Sequence, residues 1–149
     1  MTLQIVDSTQ SHLRQLSKTL RVEDRNEILA LGMSPEKALS ISYKNAIYRK
    51  TAFIDEKVAA VWGVSGNFMG EVGTPYLLTS TEVVKITPLL FVRIYKYEVE
   101  KMLEIFSSLE NYVDVNYTSA VRLLKMIGFT VGEPQKIESG MFCKFQIKR

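Results

Sequence analysis

The sequence predicts an α/β fold, a mixed sheet with helices on both faces. Three observations carry that expectation. Residues 46–54 and 58–64 are strand-like runs that meet at Asp55-Glu56 and read as a hairpin. Thr87-Pro88 opens the longest amphipathic helix, which lies between two strand-like runs, 76–81 and 111–115, and so reads as a crossover. Residues 113–129, VDVNYTSAVRLLKMIGF, read as a buried strand followed by a short amphipathic helix that stops at Gly128-Phe129. Hairpins and crossovers together require strands of both directions.

The remaining elements follow in order. Leu3 and Ile5 begin a short first strand. Ser8 or Thr9 then caps a helix whose Leu13, Leu16 and Leu20 share one face. Residues 21–31 form a second helix ended by Gly32. Ser34-Pro35 restarts a third, with a side-chain cap followed by proline at the first helical position, reaching about Tyr43. After the hairpin comes SGNFMGEVGT, residues 65–74, with three glycines. No Lys-Ser/Thr follows, and a strand rather than a helix comes next, so this reads as a hairpin connection and not as a phosphate loop. In the long helix Phe91, Tyr95, Val99, Met102 and Phe106 form the inner face, with Lys96 and Glu100 outside. In the last helix Ala120, Leu123 and Ile127 match the core face. Residues 129–131 and 141–147 complete the sheet.

Composition bounds the function. A chain of 149 residues with 46% apolar and 23% charged residues suits one domain, 1–149, with a real core. The formal net charge of +3 demands neither a nucleic-acid nor a membrane partner. One cysteine, Cys143, in an apolar run excludes an intrachain disulfide and reads as a packed core residue. One His and one Cys build no zinc site, and no metal is expected. No Gly-x-Ser-x-Gly elbow or Cys/His pair is present. The opening MTLQIVDSTQ lacks a basic and then apolar leader, so no secretion signal is expected. No run approaches the roughly 18 apolar residues of a membrane span. Arg122, Lys125, Lys144, Lys148 and Arg149 read either as a basic patch or as a solvated face.

The element order, with the strand–helix–Gly128-Phe129 unit near its end, resembles the GNAT (Gcn5-related N-acetyltransferase) fold. A narrower resemblance is carried by LRVEDRNEILALGMSPEKALSIS (20–42), GTPYLLTST (73–81) and LENYVDVNYTSAVRLLKMIGF (109–129). These segments look like a phage GNAT-related family that includes the internal virion protein A of short-tailed phages. What that implies is a phage protein of virion assembly or host interaction, or of unproven enzymatic function; that it is non-catalytic or weakly catalytic rests on the glycine-free segment 81–91 and on Leu124. It would be located in the host cytoplasm or the virion, with a phage or host protein as partner. The alternative implied is a divergent acetyl-CoA-dependent N-acetyltransferase, with a small-molecule acyl donor.

The GNAT resemblance also says where chemistry belongs. A glycine loop for the CoA diphosphate is expected before the long helix; the matching residues 81–91, TEVVKITPLLF, contain no glycine, and Pro88 removes a donor. Lys85 supplies a point charge there. Backbone groups of Leu77, Leu78, Thr79 and Ser80 fall where the acyl arm is held. Asn116 and Tyr117 fall at the start of the last helix. Leu124 stands where such enzymes often carry a proton-donating tyrosine. Candidate bases are Glu71, Glu82, Asp114 and His12, of which His12 also reads as a capping or surface residue and Asp114 as either cleft-facing or solvated. The charged run Arg21, Glu23, Asp24, Arg25, Glu27 keeps two readings: it shapes a binding site, or it forms a salt-bridged surface.

Overall fold

The computed structural model describes residues 1–67 and 69–149; Phe68, within the three-glycine connection, lies outside them. The chain begins with β1 (Leu3–Asp7), α1 (Gln10–Thr19), α2 (Val22–Ala30) and α3 (Pro35–Asn45). Then come β2 (Ala46–Ile54), β3 (Lys57–Ser65) and β4 (Val72–Thr79). A 3₁₀ turn at Thr81–Lys85 leads into α4 (Pro88–Ile105). The chain ends with β5 (Ser108–Asp114), α5 (Thr118–Ile127), β6 (Thr130–Ile137) and β7 (Gly140–Lys148). The strands form one seven-stranded sheet in the order β1-β2-β3-β4-β5-β7-β6. All pairs are antiparallel except β4 with β5, joined by the α4 crossover. The expected mixed sheet is therefore present.

Local chemistry explains the punctuation. Asp55 and Glu56 both take positive φ, 48° and 70°, as a two-residue hairpin turn requires. Thr9, Ser34 and Thr87 each cap a helix with a side-chain oxygen. Two expected boundaries move. The strand expected at 76–81 runs from Val72 to Thr79, because Ser80 turns inward to cap the 3₁₀ turn. The strand expected at 129–131 continues to Ile137 as a polar edge strand. Its Pro134 sits at a register shift, where a missing N–H is tolerated.

Helices α1, α2 and α3 cover one face, where Leu13, Leu16, Leu20, Ile28 and Leu39 pack on Val58, Val61 and Leu78. Helices α4 and α5 cover the other, where Val99, Met102, Phe106, Leu124 and Ile127 pack with Trp62, Leu109, Phe129 and Phe145. Cys143 is buried in this second core. Glu98 on α4 is buried too, accepting from Trp62 Nε1 at 3.0 Å and from the Tyr48 hydroxyl at 2.6 Å. Those bonds fix the rotation of α4 against β2 and β3. No helix among the described residues is long and apolar enough to cross a membrane.

The sheet opens between its two parallel strands. Pairing of β4 with β5 is confined to Val72↔Ser108 and Gly73↔Leu109. Parallel strands bond through every second residue, so the next donor on β4 is residue 75. That residue is Pro75, which has no N–H. Its carbonyl instead accepts from the side chain of Asn111, at 2.7 Å, and beyond this bridge the strands diverge. The ladder thus stops at a proline, and the two strands part into a V.

Candidate functional site

The V opens into a cleft of about 580 Å³, within the range of small-ligand sites. Its walls are β4 and β5, the start of α4, one face of α5, and α2 across the ends of the two strands. Leu77, Leu78, Val83, Ile86, Phe91, Leu123 and Leu124 make most of the lining apolar. The strand alternation that sends the Thr79 N–H toward α2 sends that of Leu77 into the cleft. Leu77 has no β5 partner, so its backbone N–H and C=O are available to a bound molecule.

Two carboxylates from α2 meet the lips of the V. Asp24 and Ile28 lie four apart on α2, which puts Asp24 on the buried stripe, and both are buried. Asp24 Oδ2 accepts from the Thr79 N–H at 3.0 Å and from the Thr79 hydroxyl. One helical turn on, Glu27 Oε2 accepts from the Asp114 N–H at 2.9 Å. Each lip therefore gives one orphan strand N–H to one carboxylate. The backbone N–H of Arg21 completes the contact by donating to the Thr79 carbonyl at 3.0 Å. Both carboxylates line the cleft.

Burial decides their protonation. Removal from water lifts Asp24 to about 6, the donors Thr79 and Tyr117 and the nearby Arg21 only partly opposing it. Glu27 rises further, to about 7, through burial and the neighbouring charges of Asp24 and Asp114, against the single N–H of Asp114. A carboxylate near 7 is matched to proton transfer at neutral pH. Tyr117, at the N-cap of α5, lies against Asp24 and Thr79, and burial raises its phenol above the ordinary value, so it keeps its proton.

The residues singled out from sequence fall in several places. Leu78, Thr79 and Tyr117 line the cleft, as does Leu124. Thr79 has both backbone groups and its hydroxyl engaged by α2. Ser80 is fully buried behind the strand and donates to the Val58 carbonyl at 2.7 Å. Lys85 pairs with Glu82 on the 3₁₀ turn. Glu71 is exposed at the closed end of the V, where its carbonyl accepts from Ser108. Asn116 is exposed in the turn before α5, its N–H donating to Asp114 Oδ1 at 2.9 Å. His12 closes a capping box with Thr9 and meets Thr51 Oγ1 at 3.0 Å through Nδ1. The basic residues separate: Arg122 lines the cleft, Lys144 pairs with Glu110, and Arg149 bonds the Leu103 carbonyl. The charged run on α2 thus shapes a site through Asp24 and Glu27, neither of which sequence reasoning picked as a base. The four-residue spacing of Asp24 from Ile28 was the available signal.

No protein-family model and no curated protein matches this sequence. Solved structures do. A GNAT superfamily phosphinothricin acetyltransferase from Sinorhizobium meliloti, in complex with AcCoA, superposes with a TM-score of 0.74 at 13% identity, over 99% of this chain and 89% of that one. A spermidine N-acetyltransferase from Vibrio cholerae, in complex with CoA and spermine, gives 0.68 at 13% identity, over 98% and 95%. A GNAT-family acetyltransferase from Streptococcus pneumoniae gives 0.65 at 14% identity, over 99% of each chain. The class follows from the sheet order, the V and these likenesses together: the chain has the GNAT acyl-CoA N-acyltransferase fold.

Proposed function

We propose that this protein is an N-acyltransferase that moves an acyl group from a pantetheine thioester, such as acetyl-CoA, to an amine. The observation that carries the reading is the cleft between β4 and β5, with the unpaired backbone edge of Leu77 inside it and the Glu27 carboxylate on its lip. Two of the neighbouring structures hold CoA or AcCoA in this fold, which supports the donor class.

The chain's own groups fit the arm of such a donor. The free backbone edge of Leu77 matches the amides and carbonyl of an acyl-pantetheine, and the apolar walls match its carbon chain. A bound thioester would supply an activated acyl carbon. Glu27 takes the proton from the incoming ammonium and leaves a nucleophilic amine. The Leu77 N–H holds the carbonyl oxygen as charge develops on it. Tyr117, which retains its proton, returns one to the departing thiolate. Leu124 contributes apolar wall only.

Acetyl transfer to a panel of amines at millimolar acetyl-CoA tests this reading. Transfer is expected, with a rate that falls below an apparent pKa near 7 because Glu27 must be ionised to accept a proton. Glu27→Gln keeps an acceptor for Asp114 and is expected to lose about 10²–10⁴-fold in kcat together with that pH limb. Wild-type protein that transfers an acetyl group from no pantetheine thioester, whether acetyl-CoA, acetyl-pantetheine or an acetylated carrier protein, would overturn it.

The phage resemblance bears on the setting. Its three segments supply part of the cleft, namely α2, β4, and β5 with α5, while the wall from the 3₁₀ turn and α4 lies outside them. We infer that a phage protein of this type, in the host cell or the virion, retains the cleft. A partner-binding role in virion assembly rests on the resemblance alone.

A further inference from the structure

The donor end of the cleft is built differently from its acyl end. Backbone N–H groups between the 3₁₀ turn and α4 are largely consumed within the segment. Glu82 donates to Ser80 Oγ, Val83 to the Ser80 carbonyl, Ile86 to the Val83 carbonyl, Leu90 to Thr87 Oγ1 and Phe91 to the Thr87 carbonyl. Pro88 has none to give, and Lys85 is paired with Glu82. A diphosphate finds few backbone donors here, those of Thr87 and Leu89, and no glycine to bring it close to them. The rim is apolar instead, with Val84 72% and Met126 59% exposed. Exposed side chains of this size disfavour a phosphate and suit a protein surface.

Charge points the same way. No acidic residue occurs on α5 or on α4 between Pro88 and Tyr97. Arg122 lines the cleft on α5 with exposed Lys125 three residues on, and exposed Arg93 follows the cleft-lining Val92 on α4. A cationic border around an apolar centre fits a small acidic protein.

We propose that the natural donor is an acyl-phosphopantetheine carried by a small acidic carrier protein, docked on the α4–α5 rim, and not the ADP-bearing CoA. This rests on the acyltransferase reading above. The arm enters the V and its single phosphate meets Arg122 at the mouth. The carbon–sulfur bond breaks as the carbon–nitrogen bond forms. Glu27 takes the ammonium proton before attack, Tyr117 gives a proton to the thiolate, which leaves on the carrier as free thiol, and the proton shed by the nitrogen as the amide forms restores Tyr117.

Calorimetric titration of the full chain with CoA, pantetheine and a holo acyl carrier protein, alongside transfer from their acetyl forms, tests the idea. The carrier protein is expected to bind at least about tenfold tighter than CoA, an affinity that weakens with salt. Arg93→Glu/Lys125→Glu, both exposed changes, is expected to lower carrier affinity by about tenfold and leave pantetheine affinity unchanged. CoA binding as tightly as the carrier, or carrier binding unmoved by the double variant, overturns the proposal and leaves the acyltransferase reading intact. Transfer from none of the three donors overturns the acyltransferase reading itself.

Discussion

At the scale of single residues, Asp24 shows how a buried carboxylate is kept. Its burial opposes the charge, and two Thr79 donors restore part of the lost hydration. Removing the acceptor is worse than removing a donor. Asp24→Ala strands the Thr79 N–H and hydroxyl, and is expected to cost about 1–3 kcal/mol in urea denaturation at neutral pH. Thr79→Val leaves the N–H bond in place and is expected to cost less, while lifting the Asp24 pKa above 6, readable by NMR titration of the carboxyl carbon. Equal losses from the two variants would mean that the N–H bond contributes little. Asp24 and Glu27 also mark where sequence reading stopped. A charged run on a helix is compatible with solvent, and only the sheet's missing rungs reveal that its acids have strand donors to meet. Tyr117 was legible as a position, because it is counted back from Gly128-Phe129, but its contact with Asp24 depends on the placement of α2.

Among elements, the opening of β4 from β5 depends on what each residue of the closed end permits. Gly73 pairs with Leu109 just before Pro75 ends the ladder. A Cβ at Gly73 would lie 2.5 Å from Phe106 Cδ2 and 2.7 Å from Val64 Cγ2. Phe106 and Val64 are in the closed core and have little room to retreat. Gly73→Ala is therefore expected to lose about 1–3 kcal/mol of stability, measured by thermal or urea unfolding. An unchanged midpoint would show that the closed end is loosely packed. The sheet's core strands were legible in sequence because β2 and β3 combine β-branched residues with a two-residue turn. The edge strand β6 was legible only at its start, since TVGEPQKI is polar and exposed and holds both Gly132 and Pro134. The V itself was not legible, because a proline in a strand gives its position but not whose ladder it interrupts.

For the whole molecule, the same two acids that serve the site set the pH dependence of folding. A carboxyl whose folded pKa is raised binds protons more tightly in the folded state, so its contribution is full below the unfolded pKa and is lost as pH rises through the folded one. For Asp24 the window runs from 3.8 to about 6, and for Glu27 from 4.5 to about 7. The exposed carboxylates Asp7 and Asp55 and the half-buried Glu82 act in reverse. Lysine or backbone partners hold their pKa values down, so their small contribution is present at higher pH and lost on acidification. His12, depressed below 6.5 by burial, also favours the folded state more as pH rises. The terms oppose one another, so a single stability curve does not isolate the cleft. The difference between wild type and Asp24→Asn/Glu27→Gln does, because the other groups cancel. That difference is expected to favour the variant increasingly from about pH 4 to pH 8 and then level off, with unfolding midpoints as the readout. Saturating acyl donor acts against this slope to the extent that it binds the form with Glu27 ionised. A difference that stays flat across the window would place both carboxylates in water, and would remove the shifted base on which the acyltransferase reading depends.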